Sequence, residues 1–195
     1  MTNQPTRSIP TRRSMPSNNK IDYFNGMQHI IETERFYLRE FVEDDASHFY
    51  EMNNDEEVLR YTGDNPFQDL SEARSFINSY DEYKLHGMGR WAVCEKTSHS
   101  FVGWCGLKYH PSKEIVEVGY RFYRNFWNRG FATECARACV VHGFEELNLQ
   151  EIYAHAHIDN LASHKVIENS GFQFVKETQY DNLPIKLFVI RNLSR

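Results

Sequence analysis

Trp127-Asn128-Arg129-Gly130-Phe131-Ala132-Thr133 joins a run with strand character to a helix with one apolar face, and this junction decides the fold. Beyond it Ala132, Cys135, Ala136, Cys139, Val140, Gly143, Phe144 and Leu147 recur by three and one, which gathers them on one side of an α-helix. Glu134, Arg137, Glu145 and Glu146 fall mostly elsewhere. The start of such a helix presents unpaired N–H groups and the positive end of its dipole, a geometry that holds anions such as a pyrophosphate. Gly130 allows close backbone approach. One glycine at a turn is more often only conformational, so the flanking sequence has to decide.

Upstream, residues 91–95, 101–107 and 115–122 are short, rich in aromatic and β-branched residues and separated by polar turns, which predicts an antiparallel meander. Residues 36–41 alternate as a strand, and Asp44 or Asp45 is placed to cap a helix reaching Asn53, with a further turn at residues 55–61. Asp69 and Glu72 form a capping-box pattern for a helix from Leu70 to about Leu85, closed by Gly87 and Gly89. Downstream, residues 152–158 read as a strand, 161–170 as a helix stopped by Gly171, and 172–177 with 184–190 as closing strands. The fold class is therefore α/β (α+β) in a single domain.

The 195 residues, 41% hydrophobic and 14% aromatic, suffice for one sizeable core. Residues 1–26 are expected to be a disordered arm and 27–195 the globular domain, because the first 19 residues are Pro, Ser, Thr, Asn and Arg with little to bury. The first 20 residues hold four of the 22 basic side chains and no acid, leaving 18 basic against 27 acidic residues in the remainder. That balance disfavours nucleic acid as a partner and favours cationic ligands such as amines. No apolar run approaches the roughly 20 residues of a membrane span, and no signal-peptide core opens the chain, so no membrane partner and a cytoplasmic location are expected. Cys94, Cys105, Cys135 and Cys139 sit in apolar segments, as reduced thiols packed like small hydrophobes. Cys135, Cys139 and His142, or His155 with His157, share a face, but no second CxxC completes a zinc set and no metal is expected.

Five ordered blocks resemble the GNAT acetyltransferases. Phe126-Trp127-Asn128-Arg129-Gly130-Phe131-Ala132-Thr133-Glu134 is similar to the cofactor loop of the branch containing ribosomal-protein (Rim-type) acetyltransferases, with Asn128 where that branch usually has Gly and Trp127 where the wider family has Gln or Arg. Thr33-Glu34-Arg35-Phe36-Tyr37-Leu38-Arg39 resembles its opening strand. Val102-Gly103-Trp104-Cys105-Gly106-Leu107 and Glu117-Val118-Gly119-Tyr120 resemble two central strands, and the run from Asn160 to Phe172 resembles its last helix. The resemblance implies a GNAT fold with a mixed, mostly antiparallel sheet flanked by helices. It further implies acetyl-CoA as co-substrate, with main chain at Tyr120, Arg121 and Phe122 aligning the pantetheine. Asn128, Arg129, Gly130, Phe131, Ala132 and Thr133 would then hold the pyrophosphate, and Asn160, also readable as a helix N-cap, the cofactor arm. The acceptor is expected to be a primary amine on a protein N-terminus or a small molecule, attacked directly in a ternary complex by a monomer or homodimer. A non-catalytic acetyl-CoA sensor is the alternative.

Transfer to an amine needs a base, because an ammonium with a pKa of about 8 on an α-amine or about 10.4 on lysine has no free lone pair. Glu117 is the first candidate, with a raised pKa if desolvated, and His155, His157, Glu177 and Asp181 are its rivals. The family places an oxyanion-binding N–H near residues 118–120. The helix tyrosine that protonates the leaving thiolate in many relatives is replaced here by Ile167, and the resemblance offers Ser163, one turn after Asn160, as the proton donor. A serine bonded back to its own helix is the structural alternative.

Overall fold

The computed structural model describes residues 23–24 and 27–193. Its strands are β1 (Tyr23–Phe24), β2 (Met27–Glu32), β3 (Phe36–Arg39), β4 (Arg90–Glu95), β5 (Phe101–His110), β6 (Ile115–Phe122), β7 (Glu151–His157), β8 (Gln173–Tyr180) and β9 (Leu183–Arg191). They form one sheet in the order β1-β2-β3-β4-β5-β6-β7-β9-β8. Every neighbouring pair is antiparallel except β6 and β7, which run parallel. Between β3 and β4 lie α1 (Ala46–Asn53), α2 (Glu56–Leu59), α3 (Leu70–Asn78) and α4 (Glu82–His86). The parallel step is made by α5 (Phe131–Glu145), and α6 (Leu161–Asn169) leads from β7 into the β8–β9 hairpin. The fold is the mixed, mostly antiparallel α/β architecture expected. Most of the expected arm lies outside the described residues, but Tyr23 and Phe24, within its proposed bounds, pair with Gln28 and Met27.

The core occupies both faces of the sheet. Along β4, Trp91 and Val93 enter the cluster under α5, whereas Ala92 and Cys94 enter the one under α1 and α3. A strand buried on both sides has no reason to alternate polar and apolar residues, which explains the unbroken apolar run in β4. On α5, Phe131, Cys135, Ala136, Cys139, Val140 and Gly143 are buried, so the predicted stripe is the packing face. The Cys139 and Cys105 sulfurs lie 3.6 Å apart, and burial pushes the Cys139 thiol well up, consistent with thiols that fill space.

Two expectations are corrected. The helix predicted from Leu70 to about Leu85 is two helices broken at residues 79–81, because Tyr80 and Tyr83 turn inward to main chain. The Arg90 N–H donates to the Tyr80 hydroxyl at 2.7 Å, and the Tyr83 hydroxyl donates to the Arg90 carbonyl. Strand β2 carried no strong pattern in the sequence. Asp45 precedes α1 but makes no capping bond. Its carboxylate instead accepts two hydrogen bonds from Arg39, at 2.7 and 2.8 Å, and one from the Val42 N–H at 2.9 Å.

Both partners of the Arg39–Asp45 pair are buried. Removing one member of such a pair leaves an uncompensated charge, so Asp45→Ala should lower the unfolding free energy by roughly 3 to 5 kcal/mol in urea titrations. Arg39→Met combined with Asp45→Leu should recover much of the loss.

Candidate active site

The parallel junction of β6 and β7 is a single register pair, Glu117 with Tyr153. Past it the two strands part: β6 stays paired with β5 up to Phe122, while β7 stays paired with β9 up to His157. From residue 118 onward, β6 therefore has an edge without a strand partner on its β7 side, where alternate N–H and C=O groups are free to receive an extended ligand. Tyr120, Arg121 and Phe122 all lie on this edge, but their side chains go elsewhere. The Tyr120 hydroxyl donates to the Ser163 carbonyl at 3.2 Å, tying β6 to the first turn of α6. Arg121 pairs with Asp64 and Asn53 on the opposite face. Phe122 is core, and its carbonyl accepts the Trp127 indole N–H at 2.8 Å. The tryptophan that departs from the family pattern thus closes the loop between β6 and α5.

That loop enters α5 through left-handed backbone at Asn128 (φ 57°) and Gly130 (φ 75°). Asparagine tolerates this region better than most residues, which accounts for the replacement at position 128. Gly130 is the N-cap and supplies no capping side chain, so the amides of Phe131, Ala132 and Thr133 open α5 without an intrahelical acceptor. A Cβ at Gly130 would meet only Arg35 Nη2, at 3.7 Å, so the approach to these amides is open. Phe131 itself is buried, with the guanidinium groups of Arg35 and Arg129 each 4.5 Å from its ring centre. Arg35 is neutralised by Glu134, whereas Arg129 lies over the Phe126 and Phe131 rings and has no carboxylate in ion-pair range among the described residues. A cleft of about 530 Å³ beside this helix start is lined by Glu34, Arg35, Gly130, Thr133, Glu134, Arg137 and Asn169. Uncapped amides, open space and an unpaired arginine fit a diphosphate-bearing co-substrate.

Asn160 is the N-cap of α6, its Oδ1 accepting from the Ser163 N–H at 3.0 Å. The side-chain amide on the same residue keeps its donors for a ligand. Ser163 is half-buried, and its hydroxyl makes no bond back to the helix, unlike Ser170, whose hydroxyl donates to the Val166 carbonyl at 2.7 Å. Ile167, in the place of the family's tyrosine, is core.

Glu117 lies on the other face of β6, 7% exposed, at the centre of a charge cluster that the sequence did not reveal. Arg90 reaches across from β4 and donates to Glu117 Oε1 at 3.0 Å, to the Glu117 carbonyl at 3.0 Å and to the Gly106 carbonyl at 2.6 Å. Gly119 makes this possible, since a Cβ there would lie 2.6 Å from the Arg90 guanidinium carbon. His110 Nε2 and His155 Nδ1 lie 2.9 and 3.4 Å from Glu117 Oε2. Burial alone would raise the Glu117 carboxyl, but His110, Arg90 and His155 together outweigh it and hold the group at about 2. The expectation of a raised pKa at Glu117 is therefore corrected: the carboxyl stays ionised as the counter-ion of Arg90, with two histidines beside it.

A model of the "Acetyltransferase (GNAT) domain" matches residues 35–173, and the chain belongs to this acetyltransferase family. It is 33% identical over 145 residues to the "Uncharacterized N-acetyltransferase p20" of Bacillus licheniformis, covering 73% of this chain and 82% of that protein. Among solved structures, a GNAT-family acetyltransferase from Bacillus anthracis superposes with a TM-score of 0.72 at 24% identity, over 83% of this chain and 97% of that one. The ribosomal-protein-S5-alanine acetyltransferase of Vibrio fischeri does so with a TM-score of 0.70 at 20% identity, over 83% and 96%. The protein is thus a GNAT-family acetyltransferase.

A carboxyl whose folded pKa is depressed adds stability that is fully present above its unfolded pKa and lost as pH falls through the folded one. For Glu117 the window runs from about 4.5 down to about 2. Glu117→Gln should therefore destabilise the protein by roughly 3 kcal/mol near pH 7, since every tenfold change in a proton-binding constant is worth about 1.4 kcal/mol. The difference from the native protein should shrink steadily as urea titrations are repeated below pH 4.5.

Proposed function

We propose that this protein transfers the acetyl group of acetyl-CoA to a primary amine by direct attack in a ternary complex, and that it is of the Rim-type branch. The observation that carries this reading is the parting of β6 and β7 past Glu117, with an uncapped helix start at one end of the gap and Asn160 and Ser163 at the other. The sequence blocks at residues 126–134 and 160–172 and the likeness in fold to a ribosomal-protein acetyltransferase support the branch. In this reading main chain at Tyr120, Arg121 and Phe122 lies along the pantetheine. Asn128, Arg129, Gly130, Phe131, Ala132 and Thr133 receive the pyrophosphate, Asn160 steadies the arm near the sulfur, and Ser163 returns a proton to it. The charge cluster on the opposite face of β6 and the helices α1 to α4 form the acceptor side.

Thiol release from acetyl-CoA, read together with product mass across a panel of small amines and peptide N-termini, tests the function. Release dependent on the amine is expected. Acetyl-CoA binding without release for any amine would favour the sensor reading.

Gly130→Val should weaken acetyl-CoA binding at least tenfold in titration calorimetry. A β-branched residue is strained at φ 75°, so the loop would leave the left-handed region and re-aim the amides of α5, even though the added carbon itself has room. Ser163→Ala should lower kcat by roughly 10- to 100-fold with acetyl-CoA affinity unchanged, because protonating the departing sulfur matters in the transition state and hardly in the ground state. Unchanged kcat would remove Ser163 from the reaction.

A further inference from the structure

Glu117 is already met by Arg90, His110 and His155, and the titratable groups around it can be separated by what each nitrogen or oxygen already does. His110 Nε2 is sealed from solvent 2.9 Å from Glu117 Oε2, and its Nδ1 faces the Tyr180 hydroxyl at 3.5 Å, so neither ring nitrogen is open to an acceptor. His157 accepts the Asp159 N–H on Nδ1 at 3.2 Å, which consumes its lone pair and leaves the proton on Nε2. Glu177 is exposed on β8 opposite Lys186, and Asp181 is exposed in the turn of the β8–β9 hairpin. His155 differs from all of these. It stands two residues past Tyr153, where β6 and β7 have parted, and its Nδ1 faces the Glu117 carboxylate. Its ring is stacked on Tyr180, with centroids 4.4 Å apart and planes 25° apart, and 22% of the side chain remains exposed. No hydrogen-bond partner is present for its Nε2 among the described residues.

We propose that His155 Nε2 is the general base that takes the proton of the acceptor ammonium, and that Glu117 is its positioning residue, fixing the tautomer through Nδ1. This inference rests on the transferase reading. In the step, one proton moves from the ammonium to Nε2, and the freed lone pair forms the N–C bond to the acetyl carbon. The C–S bond breaks, the second amine proton ends on the departing sulfur, and His155 returns its own proton to solvent. Neutrality of the ring before the step follows from its surroundings. Burial lowers the His155 pKa first, Glu117 on β6 opposes this, and Arg90 on β4, His110 on β5 and Lys113 in the turn after it lower it further, to a net value below the ordinary 6.5. Tyr180, raised by burial, stays protonated on the ring's other side.

The test has an arm that needs no acceptor and one that does. In the full-length protein, NMR titration of the histidine Cε1–H signals should show His155 titrating below pH 6.5, and in Glu117→Gln lower still, because the imidazolium has lost its counter-ion. A His155 midpoint at or above about pH 7, or one unmoved by Glu117→Gln, overturns the assignment even if the protein is a transferase. With an acceptor in hand, His155→Ala should lower kcat about 100-fold while calorimetry gives acetyl-CoA affinity within twofold of the native value. Added imidazole should restore part of the rate. The acidic limb of kcat/KM should follow the NMR midpoint and move down in Glu117→Gln, a change that loss of packing alone would not produce. A kcat for His155→Ala within threefold of native overturns the proposal. Failure of the native protein to release thiol with any amine overturns the transferase reading and the base with it.

Discussion

The Arg90 guanidinium is the constraint on which the acceptor side of this structure depends. It lies over the face of the sheet across β5 and β6, bonded to two carbonyls and one carboxylate, and Gly119 leaves the space it fills. A cation so placed cannot remain unpaired, and Glu117 is the acid that answers it. The pairing keeps Glu117 ionised, because the forces that hold its charge buried are those that depress its pKa. What remains is a fixed negative point against which two histidines are oriented. Glu117 is thus best understood through its partners, which come from β4 and β5 as well as from the neighbouring β7.

The same residue marks where the sheet opens. Glu117 and Tyr153 form the last common rung of β6 and β7, and each strand then follows its other neighbour. The helices that continue from these strands face the gap with their N-termini. One is capped by a glycine without a side chain, and the other by an asparagine whose oxygen is used and whose amide is not. Two helix starts flanking an unpaired strand edge favour an extended anionic ligand over a compact one. Trp127 holds the first start in place through the Phe122 carbonyl, and Tyr120 holds the second through the Ser163 carbonyl.

Much of this was legible in the sequence where the cause is local. The stripe of α5, the left-handed tolerance of Asn128 and the capping of α6 by Asn160 depend on spacing and residue type within a few positions, and the structure shows each. The break between α3 and α4 was not legible, since it is made by hydroxyl contacts to Arg90 after the helical pattern has ended. Asp45 has the chemistry of a cap, and only the buried Arg39 six residues earlier shows why it does not act as one. The state of Glu117 was misread for the same reason. Desolvation is inferable from an apolar strand, whereas the compensating charges come from residues 7 and 27 positions upstream and 38 downstream.

Charge on the acceptor side acts at two ranges, and they differ in consequence. Close to β6 three arginines are met by anions: Arg90 by Glu117, Arg121 by Asp64, and Arg124 by Asp55 at 3.5 Å. Paired groups a few ångströms apart cancel beyond the Debye length of about 8 Å at physiological salt, so they shape the cleft without attracting a distant ligand. The excess of acid outside the first 20 residues is not cancelled in this way and draws cationic amines toward the body as a whole. The long-range field is then that of the net charge, and the short-range surface is one of aromatic and paired-ion groups. Trp104 illustrates the second role: Arg90 and Arg121 lie 5.6 and 5.4 Å from its ring centre, so the indole is flanked by two cations whose charges are already met. Such a surface presents an aromatic ring between two guanidinium groups without a net repulsive field, because each guanidinium already has its carboxylate.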